Sequence, residues 1–256
     1  MPVLNRAIDL LCCMAALPVL GLGVLAMTAI TQCSSPGPVL FKQERIGFGG
    51  RRFTIFKFRT MKVNADQKAH QDYFKSLIGS NAPMAKLDAT HDARLIPGGR
   101  LLRATGLDEL PQIINVLRGE MSLVGPRPCL PGEFAEYLPE HRERVNAVPG
   151  LTGLWQVSGK NRTTFEEMIR LDIHYARHAS LPLNLKIIVL TPWALAVQVY
   201  DTCARLRSPA RVHANVLRAH AVPSSLNVPM PSGQRLAVAS LLTGPGSAGR
   251  AKCLAC

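Results

Sequence analysis

The chain has 256 residues, long enough for one domain with a real core and a short appendage. Lysine and arginine number 30 against 17 aspartate and glutamate, a formal charge of +13, which points to nucleic acid, anionic lipid or a phosphorylated substrate. Aromatic residues make up only 5%, which argues against the base-stacking surfaces of RNA and single-strand binders.

The first element is apolar. Leu10 to Ile30 is 21 residues without a formal charge. As a straight helix it would be about 31 Å long, close to the hydrocarbon thickness of a bilayer. Pro18 removes a backbone hydrogen bond to Met14 and predicts a kink. Two topologies fit: a kinked span, or a re-entrant helix that bends at Pro18 and returns to the same face. Arg6 flanks one end and Lys42, Arg45, Arg51 and Arg52 the other, as a re-entrant segment with both ends in the cytoplasm would have. Seven cysteines at irregular spacing predict no disulfide framework and a reducing compartment.

A β-hairpin follows, with strands at 39–44 and 52–58 joined by the Gly-rich IGFGG. Seven basic residues and one acid lie between Lys42 and Lys62. Lys57 and Arg59 emerge from an apolar setting, as phosphate-holding cations would. Residues 63–97 read as a surface helix and loop. In TGLDELPQIINVLRG, Leu107, Leu110, Ile113, Ile114 and Leu117 form an apolar stripe at helical spacing, and Gly119 stands where a C-terminal cap belongs. Pro111 is tolerated only in a first turn, which puts Asp108 and Glu109 at the helix start, where carboxylate charge is favoured. Adjacent acids on a helix diverge by about 100°, so they suit two separate jobs rather than the facing arrangement of a glycosidase. Arg103 precedes the pair, and Arg127 sits in a Gly-Pro-Arg-Pro turn whose prolines aim it. An ionised acid that can act as nucleophile or ligate Mg2+, with Arg and Lys clamps around it, describes phosphoryl transfer.

Residues 149–160, PGLTGLWQVSGK, form a glycine-punctuated loop. A capping box, Thr163 with Glu166 or Thr164 with Glu167, opens a helix to His178 whose buried face is Phe165, Met168, Ile169, Ile173 and Ala176. The stretch 181–200 is apolar nearly all round and fits a buried helix, a second span or an interfacial helix. Beyond 200 the residues lack periodicity and predict a disordered basic tail.

The ordered blocks SPGPVLFKQERIG, FKFRTM, LDELPQIINVLRGEMSLVGPRP and PGLTGLWQVSGKNR resemble bacterial sugar transferases, the monotopic polyprenyl-phosphate phosphoglycosyl transferases, over about residues 1–200. The resemblance implies an α+β, mainly helical fold. A re-entrant membrane helix (1–33) would precede a cytosolic catalytic domain (34–200) with a small β-hairpin and amphipathic interfacial helices, ahead of the tail 201–256. It implies transfer of a sugar phosphate from a UDP-sugar to polyprenyl phosphate on the cytoplasmic face of the bacterial inner membrane. A homodimer would be compatible with it, and no nucleic acid is involved. It implies a ping-pong route with Asp108 as nucleophile and Mg2+ ligand and Glu109 activating the lipid phosphate. Lys57, Arg103 and Arg127 match basic positions of the family and would hold phosphates, with Arg59 added from the hairpin reading above. The chain departs from the usual pattern at Leu17-Pro18, where many members have Ser-Pro, at Val148, where an Arg is frequent, and at Asn184, where an Asp is common. A competing reading, a non-catalytic membrane adaptor for anionic lipid, explains the charge and the apolar segment but not the acid pair or the GPRP turn.

Overall fold

The computed structural model describes residues 3–63, 84 and 94–207. Most of the expected surface helix and loop at 63–97, and the tail beyond 207, lie outside the described residues.

Helix α1 (Val3–Ser34) runs through Pro18 as one helical element. Its buried residues, Asp9, Cys13, Leu20, Met27 and Thr31, recur at intervals of four and seven and so share one face. Leu11, Val19, Leu22 and Leu25, on the remaining surface, are exposed. The same globular body holds both ends. The Arg6 guanidinium donates to the carbonyls of Val116 (2.6 Å) and Leu117 (3.0 Å), a cation on helix C-terminal carbonyls. The buried Asp9 carboxylate accepts from Ser122 Oγ (2.9 Å) and Leu123 N (3.0 Å). At the other end Arg59 donates from Nη2 to Ser35 O (2.5 Å) and from Nε to Pro38 O (2.7 Å).

Strands β1 (Leu40–Ile46) and β2 (Arg52–Phe58) pair antiparallel, with Phe41 opposite Lys57. Ile55 and Phe58 turn inward from β2 and pack with Cys13, Leu20 and Met27 of α1. Helix α2 (Gly99–Thr105) ends at Gly106, whose φ of 75° reverses the chain into a 3-10 turn over Leu107–Gln112. Helix α3 (Ile113–Leu117) continues from it. The stripe expected on this segment is buried or half-buried at Leu110, Ile113, Ile114 and Leu117, while Leu107 is exposed. Gly119, at φ 80°, donates to Val116 O (2.9 Å) and closes the helix as expected.

A second sheet, which the residue pattern did not suggest, joins the two glycine-rich motifs. Strands β3 (Ser122–Val124) and β4 (Gly150–Thr152) pair in parallel. A Cβ on Gly150 would lie 2.0 Å from Gly125 N, so the two backbones touch where side chains would otherwise stand. This contact brings LVGPRP against PGLTG.

Short elements follow: α4 (Pro131–Ala135), a 3-10 turn at Glu140–Asn146, and α5 (Leu154–Val157). Helix α6 (Phe165–His178) opens with the Thr164–Glu167 capping box and buries Phe165, Met168 and Ile169. Helix α7 (Leu181–Arg207) extends past residue 200, where the tail was expected to begin, and Asp201 bonds Arg162 at 3.0 Å. Its Gln198 donates to Ala104 O (2.7 Å), fastening α7 to α2. Leu185, Val189, Trp193 and Tyr200 form an exposed stripe along it. Both α1 and α7 are long and apolar enough to cross a membrane by length and composition.

Candidate active site

Asp108 and Glu109 occupy the first turn of the 3-10 segment, with Glu109 N bonded to Gly106 O at 3.0 Å. The expected helix start is therefore present, wound as a tighter turn. A 3-10 turn spaces neighbouring side chains about 120° apart, so the two acids diverge further than on an α-helix. Glu109 Oε1 accepts from Lys57 Nζ at 2.7 Å. The side chains are 22% (Lys57) and 40% (Glu109) exposed, so this pair adds little stability and stays within reach of solvent.

Asn115, fully buried on α3, sets this pairing. Its Oδ1 accepts from Phe56 N (3.3 Å), and its Nδ2 donates to Thr54 O and Glu120 Oε2 (both 2.7 Å). One side chain thus mimics a strand on the free edge of β2 and locks α3 beside Lys57. An amide on an otherwise apolar helix was the signal available in the sequence.

Arg127 projects from the GPRP turn with its side chain 23% exposed, and its Nη1 lies 3.7 Å from Glu133 Oε2. Arg103 lies on the last turn of α2, one left-handed glycine ahead of the acid pair. Arg59 is placed elsewhere. It is buried, and its three nitrogens bond Ser35 and Pro38. Its donors tether the end of α1 to the hairpin.

Lys160 was missed as a site residue, although the block containing it stood out in the sequence. Burial pushes its ammonium below the ordinary lysine value. Glu109 and Asp108 oppose that fall, while Lys57 and Arg127 add to it. The residue therefore shares one electrostatic neighbourhood with both acids and both cations. Its backbone is strained, at φ 35°, a region that non-glycine residues rarely occupy. Arg162 N to Gly159 O (2.8 Å) and Thr163 Oγ1 to Lys160 O (2.9 Å) hold it there.

Four segments far apart in sequence thus converge: β2, the 3-10 turn, the GPRP turn and the loop before α6. The profile of the bacterial sugar transferases matches residues 1–198. The chain belongs to that family. It is 41% identical over 174 residues to the galactosyl transferase CpsE of Streptococcus agalactiae, covering 66% of this chain and 37% of that one. It is 38% identical over 188 residues to the uncharacterized sugar transferase EpsL of Bacillus subtilis, covering 73% and 82%. It is 42% identical over 176 residues to the UDP-glucose:undecaprenyl-phosphate glucose-1-phosphate transferase of Caulobacter vibrioides, covering 66% and 60%. The chain thus spans only part of the first and last of these relatives and most of EpsL.

Proposed function

We propose that this protein transfers a sugar 1-phosphate from a UDP-sugar to polyprenyl phosphate, yielding the polyprenyl-diphosphate sugar and UMP. The observation that carries the reading is the ion pair of Glu109 with Lys57, with Lys160 close enough to feel the charges of both acids and of Lys57 and Arg127. The activity for which the Caulobacter relative is named supports it.

In this mechanism an Asp108 carboxylate oxygen attacks the β-phosphorus of the UDP-sugar. The bond from that phosphorus to the bridging oxygen breaks, and UMP leaves with the electron pair. The sugar phosphate remains on Asp108. A polyprenyl phosphate oxygen then attacks the same phosphorus and frees the carboxylate. Glu109, oriented by Lys57, assists the lipid phosphate in that second half. Arg127 and Lys160 hold diphosphate oxygens, and Arg103 stands on the approach. Among the described residues no group of three or more His, Cys, Asp or Glu is arranged for a metal. Mg2+ suits such a site, since it binds through one or two carboxylates and substrate phosphates, and Asp108 is the residue that would hold it. When bound it would neutralise charge on the transferring phosphoryl group.

The same reading makes α1 a monotopic anchor on the cytoplasmic face of the bacterial inner membrane. A spanning helix leaves its two ends on opposite sides of a hydrocarbon layer about 30 Å thick. Arg6 and Asp9 near one end, and Ser35 just beyond the other, all bond the same body. The exposed faces of α1 and α7 then meet lipid from one side, with Trp193 and Tyr200 at headgroup depth.

The test is UMP release from a panel of UDP-sugars with polyprenyl phosphate, using purified membranes. Release that depends on the UDP-sugar and stops in Asp108→Asn is expected. Unchanged release in that variant would contradict the mechanism, and no release with any UDP-sugar would favour an adaptor.

A further inference from the structure

The GPRP turn is held in an unusual way. Pro126 and Pro128 have no N–H to donate, so the turn is fixed through its carbonyls. Four consecutive carbonyls accept from three other segments of the chain. Gly150 N donates to Pro126 O (3.0 Å), and Ile46 N donates to Cys129 O (2.9 Å). Between them, Arg144 Nη2 donates to Arg127 O (2.9 Å) and Arg45 Nη1 donates to Pro128 O (3.1 Å). Each guanidinium is itself pinned. Arg144 is 1% exposed, pairs with the fully buried Asp172 carboxylate and donates to Tyr137 Oη (2.6 Å). Arg45, 6% exposed, donates to Gln43 Oε1 (2.7 Å).

Stability alone does not account for this arrangement. Arg45, Arg127, Arg144, Glu133 and Asp172 place three cations and two anions in one largely buried region. Burial, with Arg127 as the next cause, lowers Arg45 to about 10. Apolar residues of similar volume often replace buried ion pairs with no loss of stability. What charged donors add is fixed direction: Arg144 on Arg127 O, together with Gly150 N on Pro126 O, holds the two carbonyls that flank the Arg127 Cα, and Arg45 holds the next one, Pro128 O.

We propose that Arg45 and Arg144, the latter braced by Asp172 and Tyr137, are positioning residues that aim Arg127 at the diphosphate of the donor substrate. This rests on the reading above that Arg127 holds phosphate. The region carries one more cation than anion, which favours an anionic ligand over a neutral one.

The test is a thermodynamic cycle on the full chain in detergent micelles, with UDP as the probe and binding measured by calorimetry. Arg127→Ala is expected to weaken UDP binding about tenfold or more, as loss of a charge-assisted phosphate contact does. The double variant Arg144→Met with Asp172→Leu removes the clamp without leaving a buried lone charge. It should unfold near the parent temperature yet bind UDP about tenfold more weakly, because small misplacements at a clamp are costly. In the Arg127→Ala background the same double change should add less than about twofold, since coupled residues are non-additive. Equal losses in both backgrounds, or parent-like UDP affinity in the double variant, would overturn the proposal. Should the double variant not fold, Arg45→Lys, which keeps the charge and loses the fork, enters the same cycle. Its loss should again shrink when Arg127 is absent, and equal losses or parent-like affinity would again overturn the proposal. Parent-like UDP binding by Arg127→Ala would remove Arg127 from the phosphate site and end the proposal, while Asp108→Asn would still report separately on the transfer reaction.

Discussion

The two sides of the site are built differently. The acid pair sits on a short 3-10 turn, and its Lys57–Glu109 ion pair is partly open to solvent. The Arg127 turn is dry at its back, with four carbonyls claimed and the Arg144–Asp172 pair sealed from water. In the mechanism proposed, the acids meet two phosphates in succession and need access. The donor clamp meets one group, in one geometry, and gains from being fixed beforehand.

Substitutions on the two sides should therefore fail in different ways. Asp108→Asn should lower UMP release on the order of a thousandfold, as loss of a nucleophile does, while unfolding shifts by less than about 0.5 kcal/mol. Asp172→Ala should do the reverse first. It strands the Arg144 charge and should cost about 3–5 kcal/mol in chemical denaturation. Equal stability losses in these two variants would erase the contrast. Asn115→Ala lies between them: it leaves Phe56 N and Thr54 O without their amide partner and should cost about 1–3 kcal/mol, with activity falling as Lys57 loses its fixed position.

The smallest effect is a pH dependence. Lys160 faces Lys57, Arg127, Asp108 and Glu109, and its ammonium is depressed below the usual lysine value in the free protein. A bound diphosphate would raise it again. Affinity for UDP is then fullest below the free-protein value and falls as pH rises through it toward the ordinary lysine range, near about 10.4. Lys160→Arg, whose guanidinium stays charged, should flatten that alkaline fall in a titration of UDP affinity. A fall that persists unchanged would assign it to another group.

Much of this was legible in the residues. Local signals carried the hairpin, the α6 capping box, the Gly119 cap and the turn that holds Asp108 and Glu109, because each depends on neighbours within a few positions. What the residues concealed was long-range. The bonds of Arg59 to Ser35 and Pro38, 24 and 21 positions away, left no local trace in the sequence. The β3–β4 pair joins strands of only three residues, too short for any period to appear. Asp172 stood in plain view on the stripe of Phe165, Met168 and Ile169. An acid at a core position asks for a buried partner, and Arg144 supplies it from 28 residues upstream.

The central claim is the covalent step at Asp108. Purified enzyme in micelles, given radiolabelled UDP-sugar and Mg2+ but no lipid acceptor, should release UMP up to one equivalent. It should retain the sugar phosphate on the peptide containing Asp108, and added polyprenyl phosphate should discharge it. Label that still attaches in Asp108→Asn, or UMP released only when polyprenyl phosphate is present and with no labelled enzyme, would contradict the account.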